Sequence, residues 1–169
     1  LISLFIGVIY GSIAGWFGGK VDAVLMRVID ILTSIPDVVL LILIMLAFEK
    51  VTFITNSELK AVVAIIVALS FLGWAGIARL VRGQILQTKQ MLFVEAATAI
   101  GASVPAIIFR HIMPNIMGPI IVSLTFQIPA NVLAESFLSF IGLGLQPPHS
   151  SWGSLAAEGW RSLKTYPHL

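Results

Sequence analysis

Long stretches without charged side chains constrain this chain most. Residues 1–19 and 61–78 contain no charged residue, 31–48 contain only Asp37, and between Arg110 and Glu135 there is no residue of fixed charge. A helix needs about 20 mostly apolar residues to cross the hydrocarbon core of a bilayer. We therefore predict an all-α, polytopic membrane protein with four transmembrane helices, at roughly 1–19, 31–48, 61–83 and 112–135.

The composition favours lipid over water as the surroundings of most of the chain. Hydrophobic residues make up 58% of the sequence and charged residues 11%, with a mean hydropathy of +1.01. A soluble domain usually carries about 25% charged residues. Four buried helices of a soluble protein are the alternative, and they would leave almost no polar face for water.

The basic residues suggest an orientation. An even number of spans places both ends of the chain on one side of the membrane. Six basic residues then share one side and four the other, and the positive-inside rule assigns the side with six to the cytoplasm. This puts segment 89–111 in the cytoplasm and segment 136–169 at the outer face. The six are Lys20, Arg27, Arg79, Arg82, Lys89 and Arg110; the four are Lys50, Lys60, Arg161 and Lys164.

Glycines recur at every fourth position of the first predicted span. This spacing forms a nearly continuous groove on one helix face, where another backbone can approach closely. We predict a packing seam inside a helix bundle; the alternative is that glycine is simply common in membrane helices. The four residues are Gly7, Gly11, Gly15 and Gly19.

The last predicted span carries a polar stripe. Its members are four residues apart and drift by about 40° per step, so they wind slowly around one side of the helix. Such a stripe faces protein or a wet path rather than lipid. Hydrogen bonds between helices are the simpler interpretation, and the lining of a translocation path is the other. The stripe consists of Ser123, Gln127, Asn131 and Glu135, of which the first three are our candidates for the path.

Prolines and glycines interrupt the helical pattern in and after this span. Pro114, Pro119 and Pro129 each remove a backbone donor, so we expect the span to be broken. After Glu135 no straight helix can cross, because the sequence holds Gly142, Gly144, Pro147, Pro148 and Gly153. We predict an outer segment of short helices and turns, with interfacial aromatic residues at Phe137, Phe140, Trp152 and Trp160.

Motifs of common catalytic and cofactor sites are absent from the sequence. The string Gly18-Gly19-Lys20 continues with Val21, so it is no Walker A loop. There is no cysteine, and a net charge of +2 gives no basic patch for nucleic acid. We predict that the chain is not an enzyme and holds no cofactor, metal or nucleic acid. No metal-ligand spacing joins the three histidines His111, His149 and His168.

The polar segment 89–111 is patterned as a surface helix. Apolar residues at i, i+1, i+4, i+5 and i+8 predict one face of a short helix, with Glu95 and Thr98 on another. Docking onto a partner protein and rest on the membrane surface are equally compatible with this spacing. The apolar residues are Leu92, Phe93, Ala96, Ala97 and Ile100.

A glycine and a serine mark the end of this helix and the start of the next. Gly101 can close the first helix in a left-handed conformation without a Cβ penalty. Ser103 is placed as an N-cap, and Val104-Pro105 opens a second short helix. The segment is thus predicted as helix, glycine and helix between two spans.

Five blocks of residues resemble the permease subunits of ABC importers, and among these the C-type permeases of dipeptide and oligopeptide importers. Glu95-Ala96-Ala97 with Gly101 and Pro114 resembles the EAA signature of those permeases. One departure is Met113 in place of Leu, which keeps an apolar contact. The other blocks, which extend the resemblance over nearly the whole chain, are Gly15-Trp16-Phe17-Gly18-Gly19-Lys20-Val21-Asp22, Ala78-Arg79-Leu80-Val81-Arg82-Gly83-Gln84, Arg110-His111-Ile112-Met113-Pro114-Asn115, and Ser139-Phe140-Ile141-Gly142-Leu143-Gly144-Leu145-Gln146-Pro147-Pro148 followed by Ser151-Trp152-Gly153.

The resemblance implies a fold and a role for the cytoplasmic helix. Permeases of the type I ABC importer kind have six spans, of which this chain would hold the second to the fifth. A sequence that begins at Leu1 and stops at Leu169 without a closing element is then expected to be a piece of a longer protein. The EAA loop would form a coupling helix that docks on an ATPase subunit, through Phe93, Glu95, Ala96, Ala97, Gly101 and Pro114.

The resemblance also implies partners and a location. The expected partners are a second permease subunit in a heterodimer, two ATP-binding subunits that bind ATP and Mg, an extracytoplasmic substrate-binding protein, and membrane lipid. The location is a bacterial or archaeal cytoplasmic (inner) membrane. The substrate stays open among dipeptides, oligopeptides, nickel chelates, glutathione and certain sugars.

An ion-gradient-driven secondary transporter is the competing class. It needs acidic residues within the membrane, and the candidates Asp37 and Glu135 lie near the ends of spans. A structural scaffold without transport would leave the cytoplasmic helix unexplained. We assign Arg79 and Arg82 to anchorage at the inner interface rather than to substrate.

Overall fold

Helices account for all the regular elements in the computed structural model, which describes residues 1–52, 54–145 and 149–163. A π-helical segment, Ile107–Ile112, lies between two of them. The α-helices are α1 (Ile2–Phe17), α2 (Gly19–Thr33), α3 (Asp37–Glu49), α4 (Ser57–Thr88), α5 (Leu92–Ala99), α6 (Val104–Ala106), α7 (Met113–Phe140) and α8 (Trp152–Ser162).

The chain divides into two compact units. The first comprises Leu1–Ile35 and Leu72–Gln127, and the second Pro36–Phe71 and Ile128–Leu169. The first therefore holds α1, α2, α5, α6 and the π-helical segment, together with one part each of α4 and α7. The second holds α3, α8 and the remaining parts of α4 and α7.

β-branched side chains fill the core of the first unit. Two stripes with four-residue spacing are almost fully buried: Ile77–Val81–Ile85 on α4, and Ile112–Ile116–Ile120 from the end of the π-helical segment into α7. This spacing returns to nearly the same helix face at each turn, so each stripe is continuous. A second cluster packs Ile29 of α2 against Trp74, Ala75 and Ala78 of α4.

Two helices have the length and apolarity of membrane spans within the described residues. They are Leu59–Thr88, with 30 residues, and Val104–Phe140, with 37. The number rises to three when Gly19–Thr33 and Asp37–Glu49 are taken as one interrupted span. The helix Ile2–Phe17 is apolar but shorter. The four predicted spans therefore stay a prediction.

The last predicted span differs from the structure in two ways. The helix runs on through Pro114, Pro119 and Pro129, so the expected breaks were wrong, and it extends to Phe140, five residues past the predicted end of the span. Proline fixes φ near the helical value, and a long helix can lose single hydrogen bonds without ending. The predicted second short helix does begin at Val104, as α6, and the π-helical segment joins it to α7.

A tight turn and α8 follow α7 in the second unit. The turn at Gly142 (φ +87°) leads to Leu145, whose N–H donates to Ser139 Oγ at 3.1 Å. Ser151 then caps α8 in a reciprocal pair of hydrogen bonds with Ser154. The predicted outer segment thus holds a turn and a helix, while Gln146, Pro147, Pro148, Lys164, Tyr166 and His168 lie outside the described residues.

Candidate functional site

The helix α5 lies at the centre of the predicted cytoplasmic segment. It begins after Met91, which has extended backbone and accepts hydrogen bonds from the N–H groups of Val94 and Glu95 at 2.9 and 3.2 Å. Its N-terminus therefore depends on a backbone carbonyl, since Met91 offers no side-chain cap.

Gly101 closes α5 as the sequence predicted. Its φ is +81°, in the left-handed region. The N–H of Gly101 donates to Thr98 O at 3.0 Å, and the N–H of Ala102 donates to Ala97 O at 3.1 Å. This is the paired Schellman arrangement that satisfies the last carbonyls of a helix. A Cβ at Gly101 would meet nothing within 4 Å, so conformation, and not crowding within this chain, favours glycine there.

The buried face of α5 differs from the predicted one. Val94 and Ala97, with relative exposures of 2% and 4%, pack into the core cluster of the first unit. Leu92 and Ile100 point away from it, with exposures of 82% and 86%. The five apolar residues therefore do not share one face. An apolar pattern in eight residues predicts that a helix has an apolar face, but it does not predict which face is buried within the chain.

The outward surface of α5 is apolar with one acid beside it. Ala96 is exposed and Phe93 is 38% exposed. We call Leu92, Phe93, Ala96 and Ile100 the outward face of α5.

A groove lies along another side of α5. It has a volume of about 390 Å³ and is lined by Trp16, Lys89, Gln90, Val94, Glu95 and Thr98. Thr98 turns its hydroxyl to Val94 O at 2.8 Å. Glu95 is exposed and has no ion-pair partner in the part of the chain that the structure describes.

Pro114 lies beyond α5, in the first turn of α7, and is exposed. The π-helical segment just before it was missed from the sequence. At its end the N–H of Met113 donates to Ile108 O, five residues back. Proline at 114 has no N–H to continue an α-helical ladder, and this was the one available signal. Asn115 Nδ2 donates to His111 O at 2.6 Å close by.

Three of the four glycines in the predicted seam let α1 approach α4. A Cβ added at Gly7 would lie 2.7 Å from Ile77 Cβ, at Gly11 2.4 Å from Ala78 O, and at Gly15 2.9 Å from Arg82 O. Real Cβ atoms do not come this close, so the two backbones are in contact because side chains are missing. Gly19 does not take part: it has a φ of +52° at the start of α2 and meets nothing within 4 Å.

Two ion pairs join α2 to α4. Arg82 binds both carboxylate oxygens of Asp22, through Nε and through Nη2, the latter at 2.6 Å. Arg79 Nη2 donates to Asp30 Oδ1 at 2.9 Å and to Thr33 Oγ1 at 3.0 Å. The sequence predicted only anchorage for these arginines. It could not pair them, because charge spacing along one helix does not give its register against another.

The predicted polar stripe makes different contacts along its length. In the first unit, Gln127 Nε2 donates to Gly73 O at 3.1 Å, and Gly73 leaves no room there for a side chain. In the second unit, Glu135 accepts a hydrogen bond from Ser139 Oγ at 2.6 Å. Ser123 and Asn131 are half-buried. The contact of Gln127 is of the interhelical kind, and a role in a path stays a prediction.

Comparison with known proteins places the chain among transport components. Residues 7–166 match the family described as binding-protein-dependent transport system inner membrane component. The chain is 41% identical over 167 residues to the oligopeptide transport system permease protein OppC of Bacillus subtilis (strain 168), covering 99% of this chain and 52% of that protein.

Two further relatives show the same pattern. The dipeptide transport system permease protein DppC of Bacillus subtilis (strain 168) is 45% identical over 159 residues, covering 94% of this chain and 47% of that protein. The glutathione transport system permease protein GsiD of Pectobacterium atrosepticum is 34% identical over 169 residues, covering 100% and 53%. The chain thus spans about half the length of the curated relatives it matches.

Proposed function

Because the chain belongs to the family of binding-protein-dependent transport system inner membrane components, we propose that it forms half of the translocation path of an ATP-driven importer in the bacterial inner membrane. ATP hydrolysis takes place in separate ATPase subunits that bind ATP and Mg. The chain contributes no catalytic group. Its substrates are peptides or related small solutes, as the names of the oligopeptide, dipeptide and glutathione relatives suggest.

We propose further that the outward face of α5 docks on an ATPase subunit. The observation that carries this proposal is the division of α5 into two faces. Val94 and Ala97 anchor the helix in the core, while Leu92 and Ile100 project with 82% and 86% exposure. Exposed apolar side chains that share one face of a helix mark a site of interaction with a protein or a membrane. The unpaired Glu95 at its border supplies a charge that a basic partner residue can meet.

Anchorage of α5 provides a route for motion. Its buried face contacts the stripes of α4 and of the segment that leads into α7. A displacement of α5 on closure of the ATPase dimer therefore shifts two long helices together. Alternating access then follows from two arrangements of the permease pair, whose populations ATP binding shifts. A second permease subunit completes the path, and an extracytoplasmic binding protein delivers the substrate.

The ion-driven alternative gains no support from the two candidate acids. Asp37 is exposed in the first turn of α3, and Glu135 is half-buried and accepts a hydrogen bond from Ser139. Neither is a buried, unpartnered carboxylate of the kind that proton or sodium coupling uses.

The proposal is tested by affinity purification of the full-length protein from detergent-solubilised membranes. The proteins that co-purify are identified by mass spectrometry. We expect recovery of an ATPase subunit, and its loss in the variant Gly101→Asp. The substitution puts a side chain at a position with left-handed backbone, which glycine adopts without a steric cost, and it puts a charge beside the outward face.

Gly159→Asp is the matched control, because it adds the same charge at a glycine of α8 that also meets nothing within 4 Å. Normal transport by Gly101→Asp would contradict the docking role of α5. A protein that purifies alone and moves substrate on an ion gradient would establish the alternative.

A further inference from the structure

Lys89 caps the C-terminal end of α1. Its Nζ donates to Gly15 O at 3.0 Å and to Trp16 O at 3.4 Å. Both carbonyls belong to the last turn of α1, where carbonyls lack partners within the helix and the helix dipole favours a cation. The last turn of α1 contains no basic residue of its own. The stabilising charge therefore comes from another element, 73 or 74 residues away along the chain.

Glycine makes this cap possible. A Cβ at Gly15 would lie 2.9 Å from both Arg82 O and Ile85 Cβ, so α1 touches the backbone of α4 at this level. The N–H of Lys89 donates to Ile85 O at 2.9 Å, which holds the residue as a continuation of α4. From this position its side chain reaches the end of α1, close to the contact between α1 and α4 at Gly15.

The same lysine borders α5. It lies three residues before the first residue of α5 and lines the groove that Glu95 and Thr98 also line. Trp16, whose carbonyl Lys89 binds, packs its side chain against the cluster that contains Val94 and Ala97. The end of α1, the residue that follows α4 and one side of α5 therefore line a common groove at Lys89.

We propose that Lys89 is a positioning residue, which ties the end of α1 to the turn before α5 so that displacement of α5 moves α1 as well as α4. This inference rests on the proposed function. Without the ammonium group, α1 keeps its glycine contacts with α4 at Gly7 and Gly11. Its end is then no longer bonded to the turn that carries α5. The docking of α5 on the ATPase subunit persists, but displacement of α5 then moves α4 without moving α1.

The test uses the full-length permease, assembled with its partner permease, ATPase subunits and binding protein in proteoliposomes. Substrate uptake and ATP hydrolysis are measured together, and uptake per ATP is compared between variants. Lys89→Met keeps an apolar stem of similar length and removes the donors. We expect assembly and hydrolysis to persist and uptake per ATP to fall about tenfold, since two charge-assisted hydrogen bonds are lost.

Two variants sharpen the result. Lys89→Arg restores most of the ratio, because a guanidinium group can donate to the same two carbonyls. Lys20→Met is the matched control: it removes the same charge from an exposed position in the first turn of α2, and it leaves the ratio unchanged.

Three outcomes would overturn the inference. An unchanged ratio in Lys89→Met is the first. A loss of hydrolysis and uptake in the same proportion, with loss of subunit assembly, is the second, since it shows a purely structural role. Failure of Lys89→Arg to restore the ratio is the third. Failure of the proposed function is recognised separately, by the affinity purification described above. In that case the wild-type permease recovers no ATPase subunit, and the inference about Lys89 fails as well.

Discussion

The helices α5 and α8 are both short and both expose large apolar side chains, but the chain holds them in different ways. Side chains anchor α5, whose Val94 and Ala97 are buried in a β-branched core. A close backbone contact anchors α8, and a cap stabilises its first turn. Gly153 lies directly against Ser136 O, and Ser151 forms a reciprocal cap with Ser154.

Their exposed residues differ as well. On α8 the most exposed side chains are two tryptophans, Trp152 at 80% and Trp160 at 67%, with Leu155 at 60%; exposed tryptophans are typical of a membrane–water interface. On the outward face of α5 the most exposed side chains are aliphatic, Leu92 at 82% and Ile100 at 86%, with Phe93 at 38% and an acid beside them. Exposure alone thus does not distinguish a lipid contact from a protein contact. The exposed tryptophans lead us to propose a lipid contact for α8, and the acid beside the outward face leads us to propose a protein contact for α5.

The largest expected effect breaks the anchor of α8. In Gly153→Val the new Cβ would lie 1.8 Å from Ser136 O, and neither backbone can yield without separation of α8 from α7. We expect a loss of about 3 kcal/mol or more in the free energy of unfolding, and faster proteolysis at α8. Gly159→Val serves as the control, since it meets open space in the same helix. Equal stability of the two variants would refute the backbone anchor.

The next effect separates the two faces of α5. Val94→Ala removes two buried methyl groups and should lower the stability of the purified permease by about 2 kcal/mol. Leu92→Ala removes a side chain that is 82% exposed, so stability should stay the same while recovery of the ATPase subunit falls. Thermal unfolding and co-purification are measured on both variants. If Leu92→Ala lowers stability as much as Val94→Ala, Leu92 packs against the rest of the chain, which contradicts its place on the outward face.

The smallest effect compares the helix caps. Ser151→Ala removes the acceptor for the N–H of Ser154, at 3.2 Å, and should cost about 1 kcal/mol. Ser103 precedes α6 but makes no side-chain cap hydrogen bond, so Ser103→Ala should change stability by about a few tenths of a kcal/mol at most. Hydrogen exchange at the first turn of each helix reports the difference. Similar protection changes at both sites would show that the cap of α8 contributes little.

Local signals predicted the local features of the molecule well. The left-handed conformation of Gly101 follows from glycine at the end of an apolar pattern, and the close approach of α1 follows from glycine at every fourth position. Each of these depends on residues that are near one another in the sequence. Gly19 continued that spacing but lies past the turn at Gly18, so its position in the pattern was misleading.

Features that depend on the packing of distant elements were not accessible in this way. The pairing of Arg82 with Asp22 and the capping of α1 by Lys89 need the register between helices, which no spacing within one helix provides. The inward face of α5 also depends on which neighbours are present. The sequence therefore predicted that α5 has an apolar side, and only the three-dimensional packing identified Val94 and Ala97 as its anchor.

The π-helical segment Ile107–Ile112 has a consequence for insertions and deletions. A π-turn accommodates one residue more than an α-helical turn, so every side chain after it is rotated by about 100° relative to an uninterrupted α-helix. Removal of one residue from this segment would restore the ordinary pitch and turn the rest of α7 about its axis. Gln127 would then no longer face Gly73. The number of residues in this segment thus determines which way the later side chains of α7 face.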